Sequence, residues 1–158
     1  MGWYAGTITR LGHQRWFAWV GRHVGTRLDR VLYRASGGRV TATGPQVVPT
    51  MLLTTIGRTS GLDRTVPVLY IRDGPGLVVA GTNFGQKTDP NWARNLAANS
   101  RARVQVGRTR FDVVARQPTG DELRRLWARL DREWPAYRTY RDRSGRDITV
   151  FVLEPVQP

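Results

Sequence analysis

Cysteine is absent from this chain, and histidine is limited to His13 and His23. Without cysteine there is no disulfide, no thiolate nucleophile and no thiolate metal site. Both histidines fall in the first part of the chain. The remainder therefore cannot assemble a Ser-His-Asp or Cys-His catalytic group, nor a histidine metal site. Lysine is as scarce, with Lys87 its single copy. No apolar run approaches the ~18 residues of a membrane-spanning helix. The first residues lack the apolar stretch and small-residue cleavage site of a signal peptide, so a cytoplasmic location is expected.

What the chain has is arginine. The formal net charge is +13 over 158 residues. Such a charge implies an anionic partner: nucleic acid, anionic lipid, or an acidic cofactor or substrate. A GC-rich coding sequence also favours arginine, so no single arginine is read as a contact on that ground. The length suits one domain with a real core, and 40% hydrophobic residues argue against disorder.

Residues 10–35 carry Trp16, Phe17, Val20, Val24, Leu28, Val31 and Leu32 at spacings of three and four, which predicts an amphipathic helix. It could pack on its own domain. It could also lie on an anionic membrane, given its arginines and Trp3, Tyr4, Trp16 and Trp19. The chain thus divides into an N-terminal helical segment, 1–35, and a domain over 36–158, with a linker-like stretch at 36–50. Strands are expected at 51–57, 64–72, 76–81, 102–107, 110–116 and 147–153. Asp73-Gly74-Pro75-Gly76 reads as a hairpin turn. Pro67 inside the second strand implies an edge, a bulge or a break. Asp89-Pro90 opens a helix to about Ala98. Thr119 and Glu122 form a capping box for a helix over 120–133, which Pro135 stops. A loop with Tyr137 and Tyr140 leads to the last strand. About six mostly antiparallel strands with helices outside make an α+β fold, a small barrel able to bind a flat ligand.

The segment Thr54-Thr-Ile-Gly-Arg-Thr-Ser-Gly-Leu-Asp-Arg-Thr-Val-Pro67 places Arg58, Thr59, Ser60 and Arg64 on one Gly-bracketed turn. Two guanidinium forks and two hydroxyls suit a phosphate or carboxylate. An ordinary basic hairpin would read the same way.

Further motifs follow in order. They are Arg64-Thr-Val-Pro-Val-Leu-Tyr70, Val78-Val-Ala-Gly-Thr-Asn-Phe-Gly85, Asp89-Pro-Asn-Trp-Ala-Arg-Asn-Leu-Ala-Ala-Asn99 and Trp134-Pro-Ala-Tyr137-Arg-Thr-Tyr140. Together with the basic turn and the Leu-Glu-Pro155 ending they resemble the deazaflavin-dependent nitroreductase family over roughly residues 28–156. The resemblance implies a split β-barrel of the kind that binds flavin mononucleotide (FMN). It also implies coenzyme F-420, whose tail bears a phosphate and glutamates. By resemblance, Arg58, Thr59, Ser60 and Arg64 face that tail. Pro67, Val68, Gly81, Thr82 and Asn83 line the deazaflavin ring, and Trp92 and Asn95 complete the pocket. Tyr70, Trp134, Tyr137 and Tyr140 border the acceptor. Trp92 also reads as a core anchor, Asn95 as a helix-surface amide, and the two tyrosines as surface residues.

Thr59 stands where the family often has Lys or Arg, and Lys87 or Arg94 could compensate. Trp134 stands where relatives can carry tyrosine.

The implied activity is hydride transfer from the reduced deazaflavin to a quinone, an enone or a nitroaromatic. Tyr137 or Tyr140 would supply a proton or position the acceptor. Menaquinone is a candidate acceptor, met at the inner face of the membrane through residues 10–35. The alternatives are an FMN oxidoreductase on the same barrel, a deazaflavin carrier without turnover, and a nucleic-acid-binding module. The scattered arginines and the lack of a recognisable motif argue against the last.

Overall fold

The computed structural model describes residues 49–156 without a break, preceded by Val31, Ala35, Val40, Thr41, Gly44 and Pro45. The helix expected over 10–35 thus lies almost wholly outside the described residues; Val31 and Ala35 are helical. Inside the stretch expected as a linker, β1 (Val40–Thr41) pairs antiparallel with β2 (Gly44–Pro45).

Seven strands form the main sheet: β3 (Thr50–Ile56), β4 (Asp63–Leu69), β5 (Ile71–Asp73), β6 (Gly76–Ala80), β7 (Arg101–Val106), β8 (Thr109–Arg116) and β9 (Val150–Pro155). Their order is β4-β3-β7-β8-β9-β6-β5, with every pairing antiparallel. β4 and β5 occupy opposite edges, yet Tyr70 alone separates them in the chain. One stretch therefore pairs with β3 along its first part and with β6 along its second, curling the sheet into a split barrel.

The strand expected over 64–72 is two strands, and the break falls at Tyr70 rather than Pro67. Pro67 stays in register opposite Leu52. Gly57 N–H donates to the Leu62 carbonyl (2.8 Å) and Tyr70 N–H to that of Pro49 (3.0 Å). This alternation turns the backbone groups of odd-numbered β4 residues toward the free edge. Proline's missing N–H therefore costs no ladder bond.

Alternate residues fill the barrel interior. Met51, Leu53, Val68, Leu77, Val79 and Val104 are among the buried side chains there. Within residues 49–156 three α-helices are added: α1 (Asn91–Ala98), α2 (Gly120–Glu133) and α3 (Ala136–Ser144). α1 contributes Ala93 and Leu96 to the interior core. α2 and α3 cover the outer face of β5, β6 and β9. Leu126 and Leu130, one helical turn apart, are fully buried there, each worth about 2 kcal/mol of burial.

Three local expectations are corrected. Tyr137 and Tyr140 lie on a helix, not a loop, because Pro135 begins α3 rather than merely ending α2. A proline at a helix start loses nothing by lacking an N–H, and Gly145 in the left-handed region (φ 60°) closes the helix. Asp89 does not cap α1; Pro90 holds that position, and the carboxylate turns to Arg146 at 2.6 Å. Thr119 caps α2 without a side-chain bond. Glu122 instead takes a bidentate pair from Arg116, both contacts 2.8 Å. A charged fork outcompetes a lone backbone N–H.

Candidate functional site

The basic turn is held rigid from within. Gly61 N–H donates to the Gly57 carbonyl at 2.7 Å. A side chain at Gly57 would place its Cβ 2.6 Å from Ser60 Oγ, and Gly61 sits at φ +67°. Both glycines are needed, one for space and one for conformation. Arg64 Nη2 donates to Ser60 Oγ at 3.2 Å. Arg58, Thr59, Ser60 and Arg64 are exposed.

α1 anchors this turn. Asn95 is 3% exposed. Its Oδ1 accepts from Arg58 N–H (3.2 Å) and from Arg58 Nη1 (3.2 Å), and its Nδ2 donates to Thr55 Oγ1 (3.0 Å). Asn91 Oδ1 takes a further bond from Arg58 Nη1 at 3.3 Å. Asn95 is therefore a buried clamp rather than a helix-surface amide. Trp92 packs on Phe151 with ring centroids 6.2 Å apart, beside the barrel core.

The same helix reaches the second segment. A Cβ built at Gly81 would lie 3.3 Å from that of Ala93, so the strand end and the helix approach closely. Beyond it the chain is strained. Asn83 (φ 46°) and Phe84 (φ 54°) both adopt left-handed backbone, at a cost of roughly 1–2 kcal/mol each. Gly85 (φ 78°) follows against the Tyr140 backbone. Asn83 Nδ2 donates to the Thr88 carbonyl at 2.9 Å, so this side chain braces its own loop. Thr82 is buried and Lys87 exposed. Val68 sends its side chain into the interior core and pairs with Met51 of β3, while the backbone of Pro67 faces the free strand edge.

Tyr70, Trp134 and Tyr137 meet on one shallow cleft with Pro49, Leu69 and Leu130, leaving a void of about 10 Å³. That is room for one water-sized group. Tyr140 is not on the cleft wall; its ring lies 6.2 Å from that of Tyr137 and from that of Phe84. The tyrosines are buried, not surface residues. Burial pushes the Tyr137 hydroxyl well above its ordinary value, with Tyr140 adding to the effect. Tyr140 is also raised by burial, opposed by Trp134 and Arg143. The Trp134 indole N–H thus lies near enough to temper Tyr140, though it has no partner at full hydrogen-bond geometry.

Sequence reasoning missed Arg146. Its guanidinium reaches the carbonyls of Gly81 (2.7 Å), Gln86 (3.0 Å) and Thr88 (3.3 Å), besides Asp89. In so arginine-rich a chain, nothing local distinguishes it. Asn91 was missed for a similar reason: its contact with Arg58 spans 33 positions.

The split barrel is a fold shared with F420-dependent reductases, and here it carries a basic turn, a strained second loop and a buried aromatic wall. The particular family is also resolved. Residues 25–155 match the family model described as F420H(2)-dependent quinone reductase, and the chain belongs to that family. It is thus an F-420-dependent oxidoreductase with a quinone-type small-molecule acceptor. An F420H(2)-dependent quinone reductase of Mycobacterium tuberculosis (strain H37Rv) is 35% identical over 141 residues, covering 85% of this chain and 95% of the relative. Among solved structures, an F420-H2 dependent reductase (FDR-A) is 31% identical with a TM-score of 0.62, covering 67% of this chain and 94% of its own. A chain solved as a domain-swapped dimer is 28% identical, TM-score 0.65, with 79% and 92% covered. Among the described residues no helix is long and apolar enough to cross a membrane.

Proposed function

We propose that the protein reduces a quinone, with menaquinone the natural candidate, and that the basic turn and the aromatic cleft divide the work. The observation that carries this reading is the role of α1. It ties the turn at 57–64 to the loop at 81–85, so two sequence-distant segments meet on one helix.

The residues suit the coenzyme. The turn offers two guanidinium groups and the Thr59 and Ser60 hydroxyls to a phosphate or carboxylate tail. The glycine at 57 keeps the loop free of side-chain bulk. Arg58 is preorganised by Asn91 and Asn95, while among the described residues the Arg64 guanidinium bonds to Ser60 alone. Pro67, Val68, Gly81, Thr82 and Asn83 line the ring, with Trp92 and Asn95 supporting them and Lys87 reaching the tail. Bound in the reduced state, the coenzyme supplies the hydride. The chain's own part is to orient donor and acceptor and to exclude water. Tyr70, Trp134 and Tyr137 shape the acceptor side, and Tyr140 supports them. Tyr137, which lines the cleft together with Tyr70 and Glu133 and is kept neutral by burial, is the proton source in this reading. Residues 10–35 would bring the site to an anionic membrane surface. Loss of liposome binding on deleting them supports that contact; unchanged binding sinks it.

Fluorescence titration with oxidised coenzyme F-420 and with FMN tests the cofactor. Anaerobic oxidation of the reduced coenzyme by menaquinone tests the acceptor. Binding of FMN alone, or turnover with nitroaromatics but no quinone, would overturn the respective half.

A further inference from the structure

We propose that Arg146 is the positioning residue that holds the 81–89 loop in its cofactor-ready shape. The proposal rests on the reading that this loop borders the deazaflavin ring. Arg146 follows Gly145, the residue that ends α3. Its side chain is 15% exposed and bonds to both ends of the loop. Nη2 takes the Gly81 carbonyl (2.7 Å), Nε that of Gln86 (3.0 Å), and Nη1 the Asp89 carboxylate (2.6 Å). A planar fork with five donors can satisfy several carbonyls at once, which an ammonium cannot.

The loop needs such a brace. Asn83 and Phe84 are strained, and strained backbone persists only where its surroundings over-determine it. Gly81 rests on α1 and Gly85 on α3. Arg146 joins the residues on either side of the strained pair, so its loss would let the loop relax while both helices stay packed. A binding loop that must be ordered again on binding loses affinity by the cost of that ordering.

The test uses the full chain as wild type, Arg146→Gln, Arg146→Lys, Asp89→Asn and, as a measure of stability loss alone, Asp73→Asn. Asp73 lies on β5 and pairs with α2, away from the loop. Arg146→Gln is expected to raise the Kd for oxidised coenzyme F-420 by about tenfold, to leave the acceptor KM unchanged, and to speed hydrogen exchange across 81–89 but not 57–62. Arg146→Lys should recover part of the affinity. If Arg146→Gln does not fold, Asp89→Asn carries the test with a smaller loss. Wild-type affinity and exchange in these variants would overturn the proposal, as would equal weakening in Asp73→Asn at equal loss of Tm. A wild type that binds no coenzyme overturns the underlying reading, whereas the exchange pattern without the coenzyme reports on the brace itself.

Discussion

Asn95 gives its one side-chain oxygen twice to Arg58, to the backbone N–H and to the guanidinium, each at 3.2 Å. Its amide nitrogen holds Thr55, also buried. A neutral residue inside the fold thus fixes a charged residue at its surface. Replacing Asn95 by Ala would orphan Thr55 and the Arg58 N–H. We expect a loss of about 2 kcal/mol, read as a lower urea midpoint, together with weaker coenzyme binding. Full stability would refute the clamp.

The two arginines of the turn differ in preorganisation. Arg58→Ala and Arg64→Ala should each weaken coenzyme binding by roughly tenfold, about one charge-assisted contact. Salt should narrow the gap from wild type, since the turn is exposed. Titrations at low and high ionic strength decide this, and a salt-independent difference would point to a non-ionic cause.

Gly85 combines a left-handed φ of 78° with backbone atoms of Tyr140 3.1 Å from any added Cβ. Gly85→Ala should therefore destabilise by about 2 kcal/mol. Gly74→Ala, also at positive φ but in open space, should lose only about 1 kcal/mol. Comparing the two denaturation midpoints separates strain from crowding.

Asp73 is held below the ordinary carboxylate value of 3.8, chiefly by its bond from Arg125 and further by Arg129. A depressed folded pKa adds stability above the unfolded pKa and loses it as pH falls through the folded one. Asp73→Asn should lower the midpoint at pH 7, and its difference from wild type should shrink as the pH falls below 3.8.

Tyr137 shows the opposite sign. Its raised pKa favours folding below the ordinary tyrosine value of 10 and gives that stability up as pH climbs above it. Tyr137→Phe should flatten the alkaline loss of stability. If the hydroxyl delivers the proton, kcat should also drop at least tenfold at pH 7 with coenzyme Kd unchanged; undiminished kcat would assign the proton to another group or to water.

Much of this fold was legible because its signals are local. Alternation along 102–106 and 109–113, and the short apolar run 51–53 followed by β-branched residues, mark strands. The Gly-bracketed turn announces itself through glycine and arginine chemistry. Tyr137 and Tyr140 were misplaced in a loop because a proline ends one helix and begins the next with the same residue. Asp89, Thr119 and Glu122 carry sound capping chemistry, but arginines close in space captured Asp89 and Glu122 instead. Local propensity cannot foresee a partner 57 positions away, as between Asp89 and Arg146.

The sequence by itself determined a strong positive charge and a Gly-bracketed basic turn, and excluded thiol chemistry throughout and histidine chemistry beyond residue 23. It also carried enough ordered motifs to mark the family. Tertiary structure alone decided which polar residues brace and which stay open. Asn95 and Arg146 are consumed by hydrogen bonds across the fold, while Ser60, Arg64 and Lys87 remain exposed. The reason is physical. A buried polar group must find partners wherever the chain's topology brings them, and that topology is set by the closing of the barrel at Tyr70, not by any stretch of neighbours.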